Sequence, residues 1–129
     1  NRVEKMLLKT YSKILNLCNS EAALREGQFF DLTYANVGGW RYNEHRQFSF
    51  VRKKDKEVIL VVVNFDADPV DIAVNLPVHL FECFNLPEMD SIKANELLSG
   101  KNEVINFSPR HATDLIVPGY SAKLLKIRM

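Results

Sequence analysis

Apolar residues return at steps of three and four along the first part of the chain, at Val3, Met6, Leu7, Tyr11, Ile14, Leu15 and Cys18. Lys5, Lys9, Ser12, Lys13 and Asn16 fall on the other side. That period predicts an amphipathic helix. The pattern is already running at Val3, with hardly any room for a cap or a preceding loop, so the helix is expected to belong to a larger body. Its stripe calls for a partner surface that a sheet in the same chain supplies only in part. Asn19-Ser20 ends the helix and can cap a short turn over residues 21–25, and Gly27 stands where a left-handed C-terminal residue is expected.

After Gly27 the period becomes alternating. Strands are predicted at 28–34, 47–52, 57–65, 70–76, 79–84, 104–107, 114–117 and 120–128. The clearest alternation sets Val70, Ile72, Val74 and Leu76 against Asp71, Ala73 and Asn75, so one side is buried and the other wet. Residues 58–63 are apolar at every position, which predicts a central strand covered on both faces. Lys53-Lys54-Asp55-Lys56, residues 66–69 and Pro118-Gly119 read as the turns between strand pairs. Residues 91–99 give no clean period and read as a loop or a short irregular strand. The expected fold is mainly β: an N-terminal helix followed by an antiparallel Greek-key β-sandwich of about eight strands. Residues 1–27 form the helix and turn, and 28–129 the sandwich.

Bulk composition narrows the partners. A chain of 129 residues suits one domain with a proper core. Lysine plus arginine (17) nearly balances aspartate plus glutamate (16), which argues against nucleic acid or an anionic membrane as the main partner. The longest apolar run, 58–63, has strand length and falls far short of the roughly 20 residues of a membrane-spanning helix, so no membrane insertion is expected. No basic-then-apolar leader opens these residues. Cys18 and Cys83 lie in different settings and are expected to be free, partly buried thiols.

Candidate chemistry is sparse. His45, His79 and His111 lack zinc-ligand spacing, and His79 reads as a sheet-surface or rim residue. Asp66, Asp68 and Asp71 could gather oxygens for calcium, but the glycine and later glutamate of a calcium loop are missing and Pro69 stiffens the turn. Solvated turn carboxylates are the better reading. Glu82, Glu88, Asp90 and Glu96 carry nothing that specifies a glycosidic acid/base pair, which needs one raised pKa and one ionised partner at a set separation. No nucleophile elbow, phosphate loop or dinucleotide fingerprint occurs. No catalytic residue, metal or cofactor is expected in this chain. The segment Val37-Gly-Gly-Trp40-Arg41-Tyr42-Asn43 is the surface candidate. Aromatic rings on such a loop can stack on sugar rings, with Arg41 and Asn43 bonding hydroxyls. Alternatively, Trp40 pins the loop onto the core or onto a neighbouring domain.

Several segments, in order, resemble the alpha-amylase family (glycoside hydrolase family 13). Residues 11–17 (Tyr-Ser-Lys-Ile-Leu-Asn-Leu) and 21–29 (Glu-Ala-Ala-Leu-Arg-Glu-Gly-Gln-Phe) are similar to that family's last barrel helix and the Ala-Leu-Arg-x-Gly turn after it. Phe48-Ser-Phe-Val-Arg52 resembles the Phe-x-Phe-x-Arg strand of its all-β C-terminal domain, and residues 57–65 its Val-Leu-Val-Val-x-Asn-Phe strand. Glu96-Leu-Leu-Ser-Gly100 resembles its Asp-Leu-Leu-Thr-Gly turn, and residues 117–127 its closing strand. The resemblance implies that residues 1–27 are a remnant of the catalytic barrel and that 28–129 are the C-terminal domain. It also implies that the catalytic carboxylates belong to the barrel, upstream of these residues. The Gly-Gly-Trp loop and residues 79–93 match no family pattern.

Three functions follow as expectations. The first is an accessory domain that packs on and stabilises the catalytic barrel of its parent. The second is a starch or alpha-glucan-binding module using Trp40, Tyr42 and Tyr34. The third is an interaction module for dimers.

Overall fold

Residues 58–62 bury their side chains alternately on two sides, as a strand with both faces covered must. The computed structural model describes residues 2–128, with residues 3, 6 and 7 by backbone only, so Val3, Met6 and Leu7 of the predicted stripe lie outside the described side chains. Its elements run α1 (Arg2–Ser20), α2 (Ala22–Glu26), β1 (Gln28–Asp31), a 3-10 turn (Thr33–Asn36), β2 (Gln47–Lys54), β3 (Glu57–Asn64), β4 (Val70–Val74), α3 (Val78–Cys83), β5 (Met89–Glu96), β6 (Asn102–Phe107), β7 (Thr113–Val117) and β8 (Ser121–Arg128).

The strands form two antiparallel sheets. One has six strands in the order β1-β2-β3-β8-β5-β6, and the other pairs β4 with β7. The chain leaves the large sheet after β3, returns for β5 and β6, crosses out to β7 and comes back as β8 between β3 and β5. Val51, Val58, Leu60, Val62, Leu125 and Ile127 of the large sheet meet Ile72, Val74, Leu115 and Val117 of the small one in the main core. Each such aliphatic chain contributes about 1.5–3 kcal/mol by leaving water. The mainly β sandwich expected from the alternation is therefore the observed fold.

A second apolar layer lies on the opposite face of the large sheet. Ile59, Val61, Ala122 and Leu124 are covered there by Ala23 and Leu24 of α2 and by Ile14 and Leu17 of α1. Glu21, just before α2, binds Lys126 of β8 at 2.8 Å, and Glu57 lies 3.6 Å from the same ammonium. Gly27 departs from its expected left-handed role, because its φ is −72°. It is needed for close approach instead: a Cβ there would collide with the Ala23 carbonyl.

Two element assignments also change, and of the two readings of 91–99 the irregular strand is the one that holds. Residues 79–84, expected as a strand, lie largely in α3, where Leu80 and Phe81 are buried, with Phe84 buried at its C-cap. Residues 91–99 are mostly the ordered strand β5, with a register shift between Met89 and Ile92. The strand expected over 28–34 stops at Asp31 and gives way to the 3-10 turn.

Candidate functional site

The loop from Thr33 to Arg46 crosses the end of the sandwich and runs along the β4 side of the small sheet. Asn36 begins its anchoring. Its buried amide donates to the Leu32 and Asn75 carbonyls and accepts from the Asn75 N–H. Gly38 then turns the chain with φ +70°, a conformation that costs glycine little. The Glu44 carboxyl is held below its ordinary 4.5, chiefly by a hydrogen bond from its own backbone N–H. Slight desolvation opposes that shift, while the Gly38 N–H and nearby His45 reinforce it.

Arg41 is the centre of the arrangement. Its backbone lies in the left-handed region at φ 58°, and its carbonyl accepts from the Ala73 N–H of β4 at 3.1 Å. Its guanidinium donates to Asp71 on β4 and Asp114 on β7, both at 2.8 Å, bridging the two strands of the small sheet. The same guanidinium lies 4.7 Å from the Trp40 ring centroid, a cation–π contact. Trp40 is 76% exposed, so one face of the indole rests on Arg41 and the rest meets solvent.

The structure separates the three aromatic candidates. Tyr42 is only 6% exposed and belongs to the core, where its hydroxyl shares a hydrogen bond with Ser49 Oγ at 2.8 Å. It offers no surface for stacking, because its ring is buried in the core. Tyr34 is exposed but packs beside Phe30, with ring centroids 6.2 Å apart. Asn43, expected beside Arg41 as a sugar contact, instead shapes the next turn: its N–H donates to Gln47 and its side-chain oxygen accepts from the His45 N–H. Asp71 and Asp114 are the partners that sequence reasoning missed. Asp71 is close in sequence to Asp66 and Asp68, yet it lies in a strand and faces Arg41, while Asp66 approaches Arg46 at 3.7 Å.

Three of the other carboxylate candidates have structural partners, and Glu82 is exposed on α3. Glu96 is buried, accepting from the N–H groups of Leu98, Ser99 and Leu124. Glu88 and Asp90 both approach Arg110. Among the described residues no three His, Cys, Asp or Glu side chains gather as a metal site. His79 is exposed on α3, 5.9 Å from the Phe30 ring, rather than on a sheet. Cys18 is half-buried, whereas Cys83 is exposed; both are free thiols.

A second surface lies across the sandwich. The apolar stripe of α1 is wider than the sheet beneath it: Ile14 and Leu17 are tucked against the sheet, whereas Leu8, Tyr11 and Leu15 remain exposed. Between Tyr11, Ile14 and the ends of β3 and β8 runs an apolar groove of about 170 Å³, rimmed by Phe65 and Tyr120.

No family model matches the sequence, and no curated protein does. Solved structures do resemble the chain. An alpha-amylase of Anoxybacillus matches 96% of it with a TM-score of 0.60 at 18% identity, over 23% of the enzyme. A maltogenic alpha-amylase of Thermotoga neapolitana matches 91% with a TM-score of 0.64 at 11% identity, over 24% of that enzyme. The alpha-amylase of Geobacillus thermoleovorans, solved with acarbose, matches 83% with a TM-score of 0.53 at 15% identity, over 19%. The chain thus spans a quarter or less of each of these enzymes, and its fold is that of one segment of an alpha-amylase.

Proposed function

We infer that this chain is the C-terminal accessory domain of an alpha-amylase-type glycoside hydrolase and that it packs on and stabilises the catalytic barrel. In this reading residues 1–27 are the last barrel helix with its turn, and 28–129 are the sandwich. The catalytic carboxylates lie in the barrel, and the parent acts on alpha-glucans.

One observation carries the reading. The α1 helix is apolar toward two neighbours, of which the chain contains one. Ile14 and Leu17 use the sheet, while Leu8, Tyr11 and Leu15 occupy the adjoining flank and stay in water. Leaving these three side chains about half or more exposed forgoes part of the hydrophobic gain, on the order of 1 kcal/mol for each leucine, and a second body against that flank recovers it. The likeness of fold to segments of solved alpha-amylases supports a barrel as that body.

The direct test is the coding sequence immediately upstream of Asn1. A barrel bearing three active-site carboxylates is expected there, and an unrelated domain would sink the reading. The chain alone is expected to leave starch unhydrolysed. Supplied in trans to a barrel lacking it, the chain should raise the barrel's thermal midpoint, and Leu15→Glu should weaken that effect.

A further inference from the structure

We propose that the outer face of the β4–β7 sheet, centred on Trp40, is a binding site for the pyranose rings of a neutral polysaccharide. The identity of the polysaccharide, an alpha-glucan, rests on the accessory-domain reading; the site itself rests on the geometry of the loop.

The loop that carries the ring is anchored at several points. Four independent ties hold it: Asn36 to Asn75, the Arg41 carbonyl to Ala73, the Arg41 guanidinium to Asp71 and Asp114, and Tyr42 to Ser49. A platform ordered in advance spares a ligand the entropy of ordering it. Arg41 keeps a left-handed backbone, unusual for a residue with a long side chain, and that conformation accompanies its bridge from the sheet to the indole.

The surroundings suit a sugar better than other ligands. A pyranose ring has an apolar C–H face and a rim of hydroxyls, so it needs a flat apolar surface beside fixed donors and acceptors. Trp40 supplies the surface. Asp71 and Asp114 each bind Arg41 through Oδ1, which leaves Oδ2 for hydroxyl donors, and both side chains are about two-thirds exposed. Two carboxylates against one guanidinium repel phosphates and nucleic acid. A cationic ligand would find one indole face already taken by Arg41.

Position supports access. Asp71 and Asp114 project from the small sheet, whereas α1 lies on the far face of the large one. A body covering Leu8, Tyr11 and Leu15 therefore leaves Trp40 open.

Trp40 is the only tryptophan, so its fluorescence reports the site directly. The experiment combines native affinity electrophoresis of the 129-residue chain in soluble starch and in barley beta-glucan with fluorescence titration by maltoheptaose. Retardation by starch and a shift in Trp40 emission are expected. Trp40→Ala should abolish retardation, Asp71→Asn with Asp114→Asn should weaken it at least threefold, and Leu15→Glu should leave it unchanged. Circular dichroism confirms that each variant is folded, and Trp40→Phe, which keeps a ring, should retain part of the binding. Retardation by beta-glucan alone would uphold the site and count against an alpha-glucan parent. Absence of retardation and of any emission change, or retardation that survives Trp40→Ala, overturns the proposal.

Discussion

The side chain of Asn36 pairs with the backbone of Asn75 like a neighbouring strand, accepting from its N–H at 2.7 Å and donating to its carbonyl at 3.1 Å. A loop residue thereby completes the hydrogen bonding where β4 ends, and the aromatic loop inherits its position from that junction.

Replacing Asn36 with Ala removes these bonds and strands buried backbone groups. Net bonds of about 1 kcal/mol each, plus the penalty for unmet donors, predict a loss of about 2–4 kcal/mol. Urea denaturation should show a lower midpoint at unchanged slope. Asn36→Asp keeps an acceptor for the Asn75 N–H but faces two carbonyls with oxygen, so it should be nearly as damaging.

Glu96 ties the β5–β6 turn to β8 with three backbone N–H bonds, to Leu98, Ser99 and Leu124. Glu96→Gln keeps one acceptor oxygen and turns an amide N–H toward the remaining donors. A loss of about 2–3 kcal/mol is expected from the weakened charge-assisted bonds and the new unmet donor. Glu82→Gln, on the exposed face of α3, is the control and should shift the midpoint by less than about 0.5 kcal/mol.

The lowered pKa of Glu44 fixes the direction of a pH effect. Its folded value lies below the ordinary 4.5, so the ionised form is favoured by the fold. The contribution is fully present above about 4.5 and is lost as pH falls through the folded value. Trp40 emission should therefore change in acid below the ordinary carboxylate range. In Glu44→Gln that step should be absent; an unchanged titration would show that Glu44 does not order the loop.

Gly27→Ala tests the junction between α2 and the large sheet. The φ of −72° is open to alanine, so strain can come only from its Cβ against the Ala23 and Lys53 carbonyls. Backbone cannot yield as a side chain can. An overpacking cost of about 1–3 kcal/mol is expected, read as a lower thermal midpoint.

Much of the architecture was legible because alternation survives wherever one face is wet and the other dry. Residues 58–63 became β3 between β2 and β8, as their unbroken apolar run required. The misreadings have local causes. Leu80, Phe81 and Phe84 have helical spacing behind Pro77, but six residues are too few for a period to declare itself. In β5 the register shift after Met89 breaks the alternation, and the inward charge of Glu96 disguises what remains. The candidate site was half legible. Glycines beside tryptophan marked an exposed loop, but nothing local reveals that Arg41 reaches Asp114, 73 residues away, or that Tyr42 turns inward.

The place of β8 has a consequence for biosynthesis. It is the last in sequence of the eight strands among the described residues, yet it lies between β3 and β5 inside the large sheet. Until it emerges from the ribosome, β3 offers one unpaired edge and β5 another, both flanked by apolar side chains and open to pairing with another nascent chain. The large sheet therefore closes only once β8 has been made, and the interval between synthesis of β3 and of β8 leaves both edges open to pairing with another chain.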